Sequence, residues 1–214
     1  HHRRGEEFIS DPVLIYIEPY ASSTCELVTE LLQYFKERIK LEPIEAAALL
    51  AGIVVDTKNF TLRAGARTFE AASFLRRHGA DPAMTQHLLK ERLEDYIEKS
   101  EIIKNAKIIY DHIALSVVEN GHPCSQLVIA RAADTLLNMA DIYASFVVSE
   151  LPDGRIGISA RSSGKINMQV IMERLGGGGH LTNAATQLEG TIEEAVEQLM
   201  QVLAEIDAEE GLFQ

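Results

Sequence analysis

The chain has 214 residues, 46% of them hydrophobic and 24% charged, and its 32 acidic against 20 basic residues leave a formal net charge of −12. That length favours two modest domains, and the ordinary globular composition excludes wholesale disorder. No apolar run approaches the ~20 residues that span a bilayer and no signal peptide is visible. So acidic a chain repels a long polyanion unless its basic residues are concentrated, which favours a small phosphorylated ligand over a DNA or RNA track.

Taken in chain order, Val13–Ile17 alternates like a short strand. Ser23 and Glu26 have capping-box spacing, and Leu27, Leu31, Phe35 and Ile39 then recur every four residues, the pattern of a helix with one buried face. Pro43 suits the first turn of a second helix over Ile44–Val54, whose alanines allow close packing. Further helices are predicted over Arg67–His78, stopped by Gly79, and over Pro82–Leu89. Glu91–Tyr110 reads as a long, polar-rich helix connecting two domains.

Past residue 111 the pattern becomes strand, helix, strand, strand, helix. Ile113–Val118 and Ile142–Ser149 are rich in β-branched residues, with a helical Gln126–Met139 between them. Pro152-Asp153-Gly154 marks a turn into a returning strand, Arg155–Ala160. A helix from Asn167 is expected to end at Gly176. Thr191 and Glu194 form a capping box for a last helix with Val196, Leu199, Leu203 and Ile206 inward and a solvated glutamate face. Cys25 and Cys124 are isolated, so a reduced, cytosolic setting is the plain reading.

Four places carry chemical promise. Gly176-Gly177-Gly178-Gly179-His180 is expensive in conformational entropy, and a plain turn does not require all four glycines. Without β-carbons, backbone N–H groups can approach an anion closely, and His180 adds a donor at the edge. Ser159 and Arg161 point to one face of an alternating strand, Arg161 offering a planar fork for a phosphate or a purine edge, with Lys165 a further cation. Asp56 follows Gly-Ile-Val-Val at the rim of a core, where it is either a metal ligand, suiting manganese or magnesium, or a turn aspartate. His1-His2 opens the chain. Adjacent terminal histidines are often left by a purification tag, but the Arg-Arg-Gly-Glu-Glu-Phe that follows does not fit one, and imidazole suits a manganese-type metal. Asp111-His112 falls at a predicted helix-to-strand junction and reads as a cap.

Together, His1-His2-Arg3-Arg4, Asp56-Thr57, Ser159–Arg161 and Gly176–His180 resemble the DHH phosphoesterases with a DHH-associated C-terminal domain. HHRRGEEFI, EPYASSTCELVTELL and RTFEAASFLRRHGAD look like the GdpP-type cyclic-di-AMP phosphodiesterases within that superfamily. The resemblance implies an α/β fold in which residues 1–90, mostly helical, are the remainder of a DHH catalytic domain. Residues 91–111 would be a connector helix and 112–214 a smaller α/β substrate-binding domain with a mixed sheet. It implies that His1 and Asp56 bind metal, one of two manganese ions in each intact site, and that His2 lies beside the scissile phosphate. Ser159, Arg161, Gly176, Gly177, Gly178, Gly179 and His180 would bind the nucleotide.

The implied reaction is hydrolysis of cyclic di-AMP to linear pApA by a homodimer, with no long nucleic acid as partner. The aspartate that precedes the first histidine in the family motif is absent, as is the upstream His-x-x-x-Asp-x-Asp motif. On this reading the chain is a fragment of a protein anchored at the cytoplasmic face of a membrane. Nucleotide binding is then expected of the chain by itself, and catalysis of the parent. A related nanoRNase, pAp phosphatase or single-strand exonuclease is the alternative among enzymes, and a non-catalytic nucleotide-binding module the alternative of another class.

Overall fold

A computed structural model of the chain describes residues 13–35, 40–118 and 121–211. The chain divides into two compact units, His1–Lys90 and Glu91–Gln214. Among the described residues no helix is long and apolar enough to cross a membrane.

The first unit is helical where described. Helix α1 (Thr24–Tyr34) starts where Ser23 Oγ accepts from Glu26 N at 3.0 Å, satisfying one orphan donor of the first turn. The Glu26 carboxylate does not return to the cap as a capping box would. It is buried, and accepts instead from Ser22 N, Ser22 Oγ and, at 2.7 Å, Thr68 Oγ1. Thr68 lies in the first turn of α3 (Ala66–Arg77), so this carboxylate joins two helices. Helix α2 (Pro43–Asp56) carries Pro43 in its first turn, and its fully buried Ala46 and Ala47 permit close helix approach. Helix α4 (Pro82–Leu88) is capped by Asp81. Leu50 and Ile53 of α2 and Ala71 and Leu75 of α3 centre the core.

The second unit has three layers, with helices on both faces of one mixed sheet. Its elements are α5 (Leu93–Lys104), β1 (Lys107–Ile109), β2 (Ile113–Val117), α6 (Gln126–Leu137), β3 (Ala144–Glu150), β4 (Ile156–Ser162), α7 (Met168–Arg174), β5 (Gly178–Gly179), β6 (Asn183–Leu188) and α8 (Ile192–Glu210). The strand order is β1-β2-β3-β4-β6-β5. Only β2–β3 is parallel, joined through α6; every other pair is antiparallel. Alternation sends Phe146, Val148, Ile158 and Ala160 to one face, under α7 and α8. Ala114 and Val147 go to the other, under α5 and α6. The capping box at Thr191 is present, and Leu199 and Leu203 of α8 are fully buried, each stabilising by about 1.5–3 kcal/mol.

The structure departs from several expectations. Val13–Ile17 is in no strand, and Val13, Leu14 and Ile15 are exposed, because no described residue offers them a ladder. On α1 the four-residue period correctly marks a helix, but only Leu27 is buried; Leu31 and the C-cap residue Phe35 are exposed, and Ile39 lies outside the described residues. The polar helix is α5 alone. It stops at Asn105, gives way to β1, and packs on α6, with Ser116 Oγ donating to Ile102 O at 2.6 Å to tie it to β2. Consequently Asp111-His112 lies in a strand-to-strand turn, with Tyr110 and Asp111 left-handed (φ 48° and 59°), and caps no helix.

Candidate functional site

Register across β2, β3, β4 and β6 gathers polar groups at one rim of the sheet. Arg161 is paired with Ser145 on β3 and Asn183 on β6. It lies on the face covered by α6, where Arg161 Nε sits 3.2 Å from Asp134 Oδ1 and Nη1 donates to Ser159 Oγ at 3.2 Å and to Ala160 O at 2.9 Å. Its side chain is only 13% exposed. The guanidinium is therefore clamped through Nε and Nη1. A fork held in this way can present an N–H to an anionic oxygen or a base edge without further loss of rotamer freedom. Ser159 is itself buried, and its hydroxyl braces Arg161.

The glycine run follows α7 directly, and its four glycines have different causes. Gly176 N donates to Glu173 O and Gly177 N to Met172 O, the Schellman pairing that closes a helix, with Gly176 left-handed at φ 75°. A β-carbon on Gly177 would lie 2.5 Å from Thr186 Cβ and 2.8 Å from its Cα, and one on Gly179 would lie 2.5 Å from Asn183 O. Those two glycines admit strand β6. Gly178 alone has neither reason: a β-carbon there would meet nothing within 4 Å. The run is thus not an open nest of four amides. Gly176, Gly177 and His180 already donate to protein carbonyls, and Gly178 and Gly179 pair with Ala185 and Ala184 in the β5–β6 ladder. His180 N bonds Asn183 O at 2.7 Å, so the exposed histidine is attached to the residue paired with Arg161.

In the first unit, Asp56 is the last residue of α2 and is exposed, not buried at a core rim. The anchor there is Thr57, which is buried, donates to Ile53 O at 2.7 Å and accepts from Phe60 N at 3.0 Å. It pins a run of left-handed residues, Lys58, Asn59 and Phe60. Cys25 neighbours Asp56; burial, and then the Asp56 carboxylate, push its thiol pKa up. No group of three or more His, Cys, Asp or Glu among the described residues is arranged to hold a metal ion. His1 and His2 lie outside the described residues.

Sequence reasoning missed Asp134 and the neighbouring pair His112 and Tyr143. Asp134 sits on a helix 27 residues from Arg161 in the chain, and only the register across β4 and α6 makes them partners. The Ala-Ala-Asp context of Asp134 carries no motif that could have flagged it.

Residues 105–209 match the DHHA1 domain model and residues 1–53 the DHH family N-terminal domain model. The chain is 57% identical over 204 residues to the cyclic-di-AMP phosphodiesterase GdpP of Geobacillus thermodenitrificans, covering 95% of this chain and 31% of that protein. It is 55% identical to GdpP of Bacillus subtilis (96% and 32% covered) and 54% to the cyclic-di-AMP phosphodiesterase PdeA of Listeria monocytogenes (95% and 31%). The chain therefore spans about a third of the length of these relatives. A crystal structure of an exopolyphosphatase-related protein from Bacteroides fragilis superposes with a TM-score of 0.82 at 22% identity, covering 94% of this chain and 62% of that one, a likeness of fold alone. With its N-terminal segment and its sheet unit each matched by a family model, the chain belongs to the DHH family and carries a DHHA1 domain.

Proposed function

We propose that this chain binds cyclic di-AMP and forms part of a manganese-dependent phosphodiesterase that hydrolyses it to linear pApA. The observation that carries the reading is identity of 54–57% to cyclic-di-AMP phosphodiesterases across nearly the whole chain. On this reading residues 1–90 are the remainder of the DHH catalytic domain, residues 91–111 connect, and residues 112–214 hold substrate. The complete enzyme is proposed to be a homodimer anchored at the cytoplasmic face of a membrane.

The roles within the second unit follow from chemistry. Arg161, fixed by Asp134 and Ser159, turns its remaining N–H groups to a phosphate oxygen. Gly178 gives the ligand room beside the backbone, and His180 supplies a hydrogen-bond donor at the exposed tip. In the first unit, His1 and Asp56 are proposed as metal ligands and His2 as the group beside the scissile phosphate. Such a metal, held by His1 and Asp56, would supply positive charge beside the phosphate and would acidify a bound water. The described residues do not by themselves fit a metal pair, since no three His, Cys, Asp or Glu among them are arranged to hold an ion.

The test is calorimetry of the 214-residue chain with cyclic di-AMP, with and without manganese, alongside chromatographic assay for pApA. Saturable binding that Arg161→Ala weakens by roughly tenfold or more is the expected result. Absence of binding, or a clear preference for a long single strand, overturns the proposal.

A further inference from the structure

A second cluster shares the rim with Arg161. The His112 ring stacks on Tyr143, centroids 4.4 Å apart with 29° between planes, and Lys165 Nζ lies 3.3 Å from the Tyr143 ring centroid. Two groups so close to one ring cannot share a face without clashing, so imidazole and ammonium cover opposite faces of Tyr143. Backbone pairing builds the arrangement. Tyr143 N donates to His112 O at 2.8 Å, and Ser163 N donates to Tyr143 O at 3.0 Å, which places His112, Tyr143 and Ser163 side by side just beyond the ends of β2, β3 and β4. The β3–β4 register sets Tyr143 opposite Ser163, one residue beyond the Ala144–Ser162 pair. Arg161 is then the diagonal same-face neighbour of Tyr143, within reach of long and aromatic side chains.

The His112 ring is also held from the side, its Nδ1 lying 2.9 Å from Asp141 O. An imidazole that is exposed yet fixed on two sides has lost its rotamer freedom in advance. Flat aromatic faces of this kind stack nucleobases, and a neighbouring ammonium adds attraction for phosphate. A mononucleotide held at Arg161 would leave this platform unused; a dinucleotide would reach it.

We infer that His112, Tyr143 and Lys165 form a stacking subsite for the second base of a dinucleotide whose phosphate is held by Arg161. This rests on the reading that Arg161 and the glycine–histidine turn bind nucleotide. The experiment is calorimetry of the 214-residue chain with linear pApA and with AMP, for the unchanged protein, Arg161→Ala, His112→Ala, His112→Phe and Lys165→Ala, with melting temperatures as a control for folding. The unchanged chain is expected to bind pApA more tightly than AMP. His112→Ala removes that advantage, on the order of tenfold, and leaves AMP affinity as it was, while His112→Phe retains it. Lys165→Ala weakens pApA in the same direction. Equal weakening of both ligands by His112→Ala, or none, overturns the subsite. If AMP and pApA bind equally and Arg161→Ala loses both, the nucleotide reading stands and the subsite falls. If neither ligand binds the unchanged chain, both fall.

Discussion

Arg161 and Asp134 form an ion pair between β4 and α6, with Arg161 Nε 3.2 Å from Asp134 Oδ1. The aspartate is 38% exposed, so solvent screens the pair and its worth lies more in orientation than in stability. Asp134→Ala is therefore expected to weaken nucleotide binding about fivefold while shifting the unfolding midpoint little. Titration calorimetry and thermal melts on the same preparation separate the two effects. A large loss of stability with unchanged affinity would contradict the orienting role.

The glycine run offers a test with opposite signs at adjacent residues. Gly177→Ala and Gly179→Ala push a β-carbon into the backbone of β6, and each is expected to cost about 1–3 kcal/mol in urea unfolding. Gly178→Ala meets open space and is expected to leave stability near that of the parent while weakening nucleotide binding. Equal destabilisation by all three would mean that Gly178 also serves the fold.

Glu26 is a buried carboxylate whose donors include the Thr68 hydroxyl at 2.7 Å. Thr68→Val removes that donor, and with it the hydroxyl that accepts from Gly65 N at the start of α3. Loss of about 1–3 kcal/mol is expected on denaturant unfolding. Thr68→Ser, which keeps the hydroxyl, should recover most of it; a serine variant as unstable as the valine one would show that packing, not the hydrogen bond, matters at this position.

The two thiols are expected to react slowly while the chain is folded. Burial, followed by a hydrogen bond with Glu98, pushes Cys124 up to about 11 from an ordinary 9.0, and Cys25 is also raised. Because the folded pKa lies above the unfolded one, the fold favours the thiol. That contribution is present below pH 9.0 and is lost as pH rises through about 11. The thiolate is the reactive form, so labelling of native Cys124 at neutral pH should be about 100-fold slower than in denaturant, the factor that two pH units give. Comparable rates in the two conditions would refute the shift.

Much of this architecture could be read from local chemistry. Ser23 and Thr191 cap the helices they were expected to cap, and the helix expected from Asn167 starts there, because capping depends on residues within one turn. Pro152-Asp153-Gly154 makes its turn for the same reason, with Gly154 at φ 85°. β6 was less legible: Asn183–Leu188 holds small and polar residues with weak strand preference, and pairing with β4 and β5 makes it a strand. The short β1 was hidden at the end of a helical pattern, since three residues are too few for a period to register.

By itself, the sequence determined the order and ends of most helices and the presence of Arg161 and the glycine–histidine run as candidate ligand groups, since each rests on contacts within a few residues. Tertiary structure alone decided what those groups can do. Tertiary packing brought Asp134 to Arg161 and His112 and Lys165 to Tyr143, and strand β6 accounted for Gly177 and Gly179. Pairing across a sheet joins residues far apart in the chain, and which side chains become neighbours depends on a register that no local pattern encodes.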